Sequence, residues 1–400
     1  MQDKNATAKG GNLLRKDDEN ELSKLREQID LTDDAILALF RQRMALAGGV
    51  ADYKRSHGLP VFQSGREREI LDRIDEKAGP EDAQSAKLLF QNLMDLSKCR
   101  QVERLGVDSP LTDWLAPRLD HPEPIPDRPV VLCQGVEGAY SSLAARRLFP
   151  GVEPRFCARF EDVCTAVEDG TADFGLLPIE NSSAGSVPQV YELMRKYDFY
   201  INYAYNLKIS HCLAARTELP LEAVRAVYSH EQGLWQCSAF LRNHPSMAQN
   251  AYPNTAAAAK FVAASNEPYA AICSRESAAL YGLHILAEDI QNIDENYTRF
   301  ICISKQLRHS AQADTVTISL AVPNETGALY RLLLKFAVAG LNMVKIQSKP
   351  LGNKHFDAIF YIDFIGNCRQ SEVSILLADL STSLPYFKFF GNYPELHGQE

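Results

Sequence analysis

Residues 21–54 read ELSKLREQIDLTDDAILALFRQRMALAGGVADYK, a run without proline in which apolar residues recur every three or four positions. The recurring residues are Leu22, Leu25, Ile29, Ile36, Leu37, Phe40, Met44, Ala47 and Val50. This spacing predicts one unusually long helix. Further helical patterns over residues 65–77 and 82–101 extend the prediction to an all-α domain over residues 21–105. The polar residues 1–20 are expected to form a flexible tail.

Beyond the helical pattern the chain changes character twice. Five prolines in residues 106–128 predict a linker. Over residues 129–306, short apolar strand candidates alternate with helical stretches, which predicts an α/β domain. The strand candidates are Val130–Cys133, Phe174–Leu177, Ala226–Tyr228, Ala270–Cys273 and Phe300–Ile303. Over residues 314–392 the order strand, helix, strand, strand, helix, strand predicts an α+β ferredoxin-like module, so the fold class is multidomain.

Composition limits the classes of function. A net charge of -9 argues against a nucleic-acid-binding protein, which is usually basic. No run approaches the ~20 apolar residues of a membrane helix, and the N-terminus lacks the apolar core of a signal peptide. The nine cysteines are widely spaced without a CxxC pair, which is typical of buried thiols in a reducing compartment. We therefore expect a cytoplasmic protein that binds neither nucleic acid nor membrane. No cluster has metal-ligand spacing, so we predict no metal and no cofactor.

The long helix carries three cations of interest. Arg43 and Lys54 are eleven residues apart, close to three whole turns, so they face the same way about 16 Å apart. Two such side chains could hold a small dianion between them. Arg26 lies seventeen residues before Arg43, about 26 Å along the helix, and could reach the same pocket only from a second chain. The alternative interpretation is ordinary solvated helix charge.

The helical region resembles the small all-helical chorismate mutases. The matching residues are Leu25-Arg26-Glu27, Asp33, Arg41-Gln42-Arg43, Lys54, Pro60-Val61, Arg66-Glu67, Ser97 and Gln101. The resemblance implies the rearrangement of chorismate to prephenate, which needs a compact substrate pose and stabilisation of the ether oxygen. It also implies an interlocked homodimer or a higher homo-oligomer, in which one arginine of each site comes from the partner chain.

The same resemblance implies roles for individual residues. Arg26 and Arg43 would clamp the two carboxylates. Lys54 and Gln101 would donate to the ether oxygen, and Glu67 would hold the ring hydroxyl. Three further residues would complete the substrate site: Arg66, Ser97 and Gln63. Many relatives have aspartate at the last of these positions, whereas glutamine accepts a hydrogen bond but carries no charge.

Polar residues follow several strand candidates of the α/β region. They lie in the segments 135–141, 177–185, 228–237, 254–257 and 296–300. A glycine-rich turn after the first strand could present N–H groups to an anion, although its glycine spacing excludes a Rossmann fingerprint. Taken separately, all five segments could be turns and helix caps.

Together and in this order, the segments resemble prephenate dehydratase, whose threonine-arginine-phenylalanine motif appears as Thr298-Arg299-Phe300. The resemblance implies two α/β lobes like a periplasmic-type binding protein, with the site in the cleft. Thr298 would donate a hydrogen bond or relay a proton to the departing hydroxyl, with Glu180 as the rival if burial raises its pKa. The remaining residues would bind substrate: Gly138, Tyr140, Ser141, Asn181, Ser182, Ser183, Ser229, His230, Gln236, Thr255, Arg299 and Phe300.

The C-terminal module resembles the ACT amino-acid-sensing domain. Two segments carry the resemblance, Asn324–Tyr330 between a strand and a helix and Gln347–Pro350 at the end of the next strand. The implied effector site contains Asn324, Gly327, Ala328, Leu329, Gln347 and Ser348. Relatives usually carry glutamate and arginine where this chain has Gln347 and Lys349. An ordinary ferredoxin-like interaction module is the alternative.

The three resemblances together predict a bifunctional enzyme of phenylalanine biosynthesis that uses chorismate and prephenate and is inhibited by phenylalanine. Two alternatives remain at this point. The dehydratase could act on arogenate, which carries an amino group where prephenate has a keto group. The two-lobed domain could also be a ligand sensor without turnover, although Thr298-Arg299-Phe300 argues against this.

Overall fold

The computed structural model describes residues 16–57, 64–105, 109–350 and 358–398. The chain separates into two compact units, Met1–Val107 and Asp108–Glu400. None of the helices in the described ranges combines the length and the apolar character needed to cross a membrane.

The first unit contains two long helices that pack together, α1 (Lys16–Ser56) and α2 (Ser64–Leu105). The second is interrupted at Gly79, whose φ of 72° is not helical, and Pro80 follows at once. A glycine adopts this backbone conformation without steric cost, and a proline suits the first turn of the next helical segment. The two segments of α2 therefore match the two shorter helical patterns of the sequence, and the all-α prediction is confirmed.

The predicted flexible tail over residues 1–20 is wrong at its end, because α1 begins at Lys16. The last glycines before the helix are Gly10 and Gly11, and residues 16–20 read KDDEN. Residues 1–15 lie outside the described part of the chain.

The predicted linker over residues 106–128 is also wrong in part, because it contains α3 (Pro110–Asp120). Ser109 caps this helix by accepting a hydrogen bond from the backbone N–H of Leu111 at 3.2 Å, and proline occupies the first turn. Both features are favourable helix starts. Leu115 and Leu119 are buried in the core of the C-terminal region.

The middle of the chain forms two lobes. Lobe 1 contains β1 (Val131–Gln134), α4 (Tyr140–Leu148), β2 (Arg155–Cys157), α5 (Phe160–Asp169), β3 (Phe174–Asn181), β4 (Gly185–Ser186), α6 (Pro188–Lys196) and β5 (Tyr200–Lys208). Lobe 2 contains β6 (Cys212–Ala215), a 3-10 turn (Leu221–Ala223), β7 (Ala226–Ser229), α7 (Glu231–Gln236), α8 (Ser238–Arg242), β8 (Ala248–Ala251), α9 (Thr255–Ala264), β9 (Tyr269–Cys273), α10 (Arg275–Leu280) and β10 (His284–Ala287). The chain then returns to lobe 1 as β11 (Tyr297–Ser304).

The remaining elements form the C-terminal domain and one returning strand. They are β12 (Thr315–Ala321), α11 (Ala328–Val338), β13 (Met343–Pro350), β14 (Ala358–Ile365), α12 (Ser371–Ser383), β15 (Tyr386–Tyr393) and β16 (Glu395–His397). The domain sheet has the order β13-β14-β12-β15 and is antiparallel throughout. This confirms the predicted strand and helix order. The helix α3 packs against α12.

The lobe sheets have the orders β16-β5-β11-β3-β1-β2, with β4 on β3, and β10-β6-β9-β7-β8. The chain passes between the lobes twice, after β5 and before β11, and a two-lobed α/β architecture results. The pairing of β11 with β3 sets Thr298 opposite Asn181 and Arg299 opposite Glu180. Because side chains alternate along a strand, neighbouring residues of this pair face opposite sides of the sheet.

Candidate functional site

In the first unit, four of the predicted site residues lie together between α1 and α2. Nη1 of Arg43 donates to the carbonyl oxygen of Leu93 at 2.5 Å and to the hydroxyl of Ser97. Nζ of Lys54 lies 3.4 Å from Oε1 of Gln101. Burial lowers the pKa of Lys54, and the nearby Glu67 carboxylate partly opposes this shift. These groups form a compact, cation-rich site.

The other predicted residues of this unit are placed differently. Glu67 forms an ion pair of 3.0 Å with Lys98. Arg66 directly precedes Glu67, so its side chain points about 100° away around the helix. It is exposed and forms an ion pair of 2.8 Å with Glu69. The predicted contact of Arg66 with substrate stays a prediction. Arg26 is exposed on α1, and Gln63 lies outside the described residues.

In the second unit, a cavity of about 360 Å³ lies between the two lobes. Its lining consists of Gln134, Gly135, Ala139, Tyr140, Ser141, Phe160, Pro178, Asn181, Ile209, His211, His230, Gln232, Gly233, Gln236, Pro253, Asn254, Thr255, Thr298 and Phe300. These lining residues include no aspartate, glutamate, lysine or arginine. The cavity is thus polar but without a permanently charged side chain.

The side-chain amide of Asn181 lies at the centre of a hydrogen-bond network on the lobe 1 side, and the hydroxyl of Thr298 belongs to this network. Nδ2 of Asn181 donates to Oγ1 of Thr298 at 3.0 Å and to Oδ1 of Asn296 at 2.8 Å. Oδ1 of Asn181 accepts from the hydroxyl of Ser183 at 2.7 Å. Because Thr298 accepts a hydrogen bond from an amide, its own proton can be donated to a ligand in the cavity.

The network continues across the cleft to lobe 2. Nε2 of Gln236 donates to the hydroxyl of Ser183 at 2.8 Å, and its Oε1 lies 3.0 Å from Nε2 of His211. Nδ1 of His211 is 3.1 Å from the hydroxyl oxygen of Tyr140, and the single proton of that hydroxyl is donated to the carbonyl oxygen of Ser210 at 2.7 Å. A continuous polar chain therefore joins the two lobes through the cavity wall.

His211 is a candidate residue that the sequence interpretation missed. It lies in the short segment between β5 and β6, where the chain crosses from lobe 1 to lobe 2. Burial lowers the pKa of His211, while its hydrogen bond with Gln236 opposes the shift. The available signal was a single histidine between two apolar strand patterns. That signal alone does not distinguish a site residue from a core histidine.

The helices α4 and α9 both begin at the cavity wall. The first residues of α4 and α9, Tyr140 and Thr255, both line it. Asn254 caps α9 by accepting from the backbone N–H of Ala257 at 2.7 Å. Because helix N-termini carry free N–H groups and partial positive charge, this arrangement suits an anionic ligand without any basic side chain.

Two predicted residues face away from the cavity. Arg299 is buried on the opposite side of the sheet, where its guanidinium binds Asp363, Tyr393 and Glu395. Glu180 lies beside it and pairs with Lys345 at 2.6 Å. The predictions that Arg299 binds substrate and that Glu180 is a rival catalytic acid are therefore wrong for this conformation. Strand alternation is the reason, since Thr298 and Asn181 occupy the cavity side.

Three others support the cavity without lining it. Ser229 is fully buried behind α7 and donates to the carbonyl oxygen of Ile272 at 2.7 Å. Ser182 ties the ends of β3 and β11 together by accepting from the N–H of Tyr297 at 2.9 Å. The carbonyl oxygen of Gly138 accepts from the hydroxyl of Ser277 on α10 at 2.7 Å. The three residues do not line the cavity, and their direct contact with substrate stays a prediction.

The predicted effector residues lie on two segments of the C-terminal domain. Gly327 precedes α11 with a φ of 79°, a backbone conformation that favours glycine, and Ala328 and Leu329 begin the helix. Asn324 lies in the same loop. Gln347 and Ser348 are on β13, and the following Lys349 reaches the hydroxyl of Ser186 in lobe 1 at 3.3 Å.

Comparison with known proteins gives matches to both units. The chorismate mutase type II family profile matches residues 25–102, and that of prephenate dehydratase matches residues 131–308. The chain is 34% identical over 387 residues to the bifunctional chorismate mutase/prephenate dehydratase of Enterobacter agglomerans, covering 94% of this chain and 96% of that protein. It is also 34% identical over 276 residues to arogenate dehydratase/prephenate dehydratase 2 of Arabidopsis thaliana, covering 66% of this chain and 72% of that protein.

Among solved structures, prephenate dehydratase of Arthrobacter aurescens in complex with L-Phe has a TM-score of 0.61 and 30% identity. The match covers 66% of this chain and 90% of that one.

The pH dependence of stability tests the environment of His211. The pKa of His211 is lowered in the folded state, so the unfolded state binds the proton more tightly and stability falls as pH drops from about 6.5 through the folded-state pKa. We expect a smaller loss of thermal stability between pH 7.5 and 5.5 in His211→Gln than in the unchanged protein. The control is the exposed His284, whose replacement by glutamine should leave the loss unchanged. Equal losses in all three proteins would contradict the buried, neutral imidazole.

Proposed function

The chain belongs to the family of bifunctional chorismate mutase/prephenate dehydratases, and we propose that residues 21–105 carry the first activity, residues 129–306 the second and residues 314–392 their control. The enzyme of phenylalanine biosynthesis thus converts chorismate to prephenate and prephenate to phenylpyruvate. The observation that carries the family assignment is 34% identity over 94% of the chain. Ultraviolet absorbance of phenylpyruvate formed by the purified protein tests both steps, starting from either substrate.

For the mutase step, the cluster between α1 and α2 supports roles for four residues. Arg43 would bind a carboxylate of chorismate, assisted by Ser97. Lys54 and Gln101, 3.4 Å apart, would share donation to the ether oxygen on which charge develops. The rearrangement needs no nucleophile, so a preorganised cationic pocket is sufficient. Glu67 would accept a hydrogen bond from the ring hydroxyl.

We further propose that a second copy of the chain completes this site, as a homodimer or a larger homo-oligomer. Large apolar side chains of α1 are exposed by 44–70% of their surface, an arrangement that a partner helix would cover. They are Leu22, Leu25, Ile29, Leu31, Ile36, Leu37, Leu39, Leu46, Val50 and Tyr53. Arg26 lies on the same helix, about 26 Å from Arg43 by helical rise, so it would serve the partner's site.

For the dehydratase step, the prephenate dianion loses carbon dioxide and its ring hydroxyl, and the hydroxyl needs a proton to leave as water. Thr298 would donate a hydrogen bond to this departing oxygen while it accepts one from Asn181 at 3.0 Å. A threonine hydroxyl is a poor free acid, so the role is donation or relay. The start of α4 and the start of α9 would bind the carboxylates, with Tyr140, Ser141, His230, Gln236 and Thr255 at the cavity wall.

The lining of the cavity favours prephenate over arogenate. Arogenate carries an ammonium group, which a site would normally pair with a carboxylate. Among the described residues, the cavity lining provides no carboxylate, and the Glu180 side chain is held by Lys345 outside it. Turnover of the two purified substrates distinguishes these specificities.

Phenylalanine would bind the C-terminal domain, which we propose to be an ACT domain. The support is the strand and helix order, together with a loop from Asn324 to Leu329 that enters α11 through a glycine of positive φ. Free N–H groups at this helix start suit the carboxylate of an amino acid. We also propose a cytoplasmic location, because all nine cysteines are free thiols.

The role of Thr298 is tested by removing its hydroxyl. Thr298→Ala should lower the dehydratase kcat by about 100-fold or more with little change in KM, because the hydroxyl acts mainly on the departing group. Thr298→Ser, which keeps the hydroxyl, is the matched control and should stay within about tenfold of the unchanged enzyme. Steady-state rates on prephenate provide the measurement. A rise in KM at constant kcat would instead assign Thr298 to binding.

The shared mutase site is tested by mixing two inactive chains. Arg43→Ala should abolish mutase activity and leave dehydratase activity on added prephenate intact, because the two sites are in separate units. Arg26→Ala should do the same. Refolding the two variants together should restore about a quarter of the original mutase activity, since half of the random dimers are mixed and each holds one intact site. No recovery in verified mixed dimers would refute a shared site.

Control by phenylalanine is tested by calorimetry beside a dehydratase inhibition curve. Phenylalanine should bind, but inhibition should be weaker than in relatives with glutamate and arginine in the second segment. Gln347 removes a charge and Lys349 removes a planar set of donors. Gln347→Glu combined with Lys349→Arg should therefore strengthen inhibition about fivefold or more. Absence of binding heat would refute the effector site, and an unchanged inhibition curve in the double variant would refute the role of these two positions.

A further inference from the structure

The two strands that carry the dehydratase site also contact the C-terminal domain. At the ends of β3 and β11, Asn181 and Thr298 face the cavity, whereas the preceding Glu180 and the following Arg299 face the other side of the sheet. Thr298 and Arg299 are consecutive, as are Asn181 and Glu180. A displacement of the outer residue of either pair therefore moves the site residue by nearly the same amount.

Arg299 belongs to a buried cluster of ion pairs. Its Nη1 is 2.5 Å from Oδ2 of Asp363 on β14, and its Nε is 2.9 Å from Oε1 of Glu395 on β16. Nη2 also donates to the hydroxyl of Tyr393 at 3.2 Å. The side chains of Arg299 and Asp363 are only 10% and 6% exposed, so salt screens their interaction little.

The second carboxylate oxygen of Asp363 is hydrogen-bonded as well. Oδ1 of Asp363 accepts a hydrogen bond from the hydroxyl of Thr317 at 2.7 Å. That residue lies on β12, one of the two inner strands of the C-terminal sheet. Asp363 therefore connects Arg299 to the two inner strands of the C-terminal sheet.

The second connection runs through β13, the strand that ends in the proposed sensing segment. Nζ of Lys345 is 2.6 Å from Oε2 of Glu180, and Lys349 of the same strand reaches Ser186 on β4. These two contacts lie on either side of the turn that carries Asn181 and Ser183. The strand thus holds both ends of the turn whose amides and hydroxyls bind Thr298 and Gln236.

We propose that Arg299 and Glu180 are positioning residues through which the C-terminal domain sets the dehydratase site, and that their pairs with Asp363 and Lys345 transmit inhibition by phenylalanine. This inference rests on the proposed effector role of the domain. A change in β13 or β14 on ligand binding moves Glu180 and Arg299, and these displace Asn181 and Thr298 relative to lobe 2. Neither positioning residue touches substrate.

The chain offers a matched control for this proposal. Lys388 on β15 also joins the C-terminal domain to lobe 1, through an ion pair of 2.8 Å with Asp198 and hydrogen bonds to the carbonyl oxygens of Met194 and Tyr197. These partners lie at the end of α6 and just beyond it, away from the ends of β3 and β11. Lys388→Met therefore removes a cross-domain contact of the same chemical kind without touching the proposed connection.

The experiment compares Asp363→Asn, Lys345→Met and Lys388→Met in the full-length enzyme. For the first two we expect basal dehydratase kcat and KM within about threefold of the unchanged enzyme, and phenylalanine affinity by calorimetry within the same range. The phenylalanine concentration for half-inhibition should rise about tenfold or more in both. Lys388→Met should be inhibited normally. Glu180→Gln combined with Lys345→Met should raise the half-inhibition concentration no further than either change alone, because both changes remove the same ion pair.

The outcomes distinguish the effector role of the C-terminal domain from the transmission through the two ion pairs. If the unchanged enzyme gives no binding heat with phenylalanine, the effector role itself is refuted and the proposed transmission falls with it. If the unchanged enzyme binds and is inhibited, but all three variants share its inhibition curve, the effector role stands and the transmission through these pairs is overturned. Glu395→Gln, at the partly exposed end of the cluster, replaces Asp363→Asn if that variant does not fold. A loss of basal kcat of more than about tenfold in a folded variant would assign the pairs to turnover and overturn their regulatory role.

Discussion

The antiparallel pairing of β11 with β3 is the constraint on which the second unit depends. It brings Thr298 beside Asn181 and Arg299 beside Glu180 in one register. The further residues of β11 continue the alternation: Phe300 and Cys302 pack in the core on the cavity side, and Ile301 and Ile303 pack on the side of the C-terminal domain. One strand therefore carries the proposed catalytic hydroxyl of Thr298, contributes to two hydrophobic cores and contacts the C-terminal domain. A register slip of one residue would exchange all of these at once.

The two sites use different electrostatic strategies for dianionic substrates. The proposed mutase site contains the cations Arg43 and Lys54, and burial lowers the pKa of both side chains. The dehydratase cavity relies on helix starts, amides and hydroxyls, and its neighbouring ions are turned to the outer face. A neutral lining suits a reaction that produces carbon dioxide and a monoanion. Strong cationic clamps would bind the dianionic ground state at least as well as the transition state and would not raise kcat.

Sequence patterns predicted the elements well but not the direction of every side chain. All five strand candidates of the α/β region and the C-terminal order were confirmed. The predicted direction of the Arg299 side chain was wrong because a sequence motif does not tell which face of a sheet each residue occupies. The predicted strand also began at Phe300, whereas β11 begins at Tyr297, so the motif itself lies in the strand. His211 was missed because its partners Tyr140 and Gln236 are far away in sequence. The helix α3 was not predicted because the prolines of this segment were interpreted as a linker, although Ser109-Pro110 is a favourable helix start.

The end of the chain explains why the C-terminal domain contacts lobe 1 so closely. After β15 the chain returns to the lobe 1 sheet as β16, which pairs in parallel with β5 and brings Glu395 to Arg299. At Gly391 the backbones approach so closely that a Cβ atom would lie 2.2 Å from the carbonyl oxygen of Ile201. Such contact requires glycine and leaves no space for a flexible hinge at this point. Since the domain is joined to lobe 1 by a shared sheet edge, a buried ion pair and close backbone packing, small shifts of its strands would act directly on β11. A domain attached only by a loop could absorb the same shifts without moving the site.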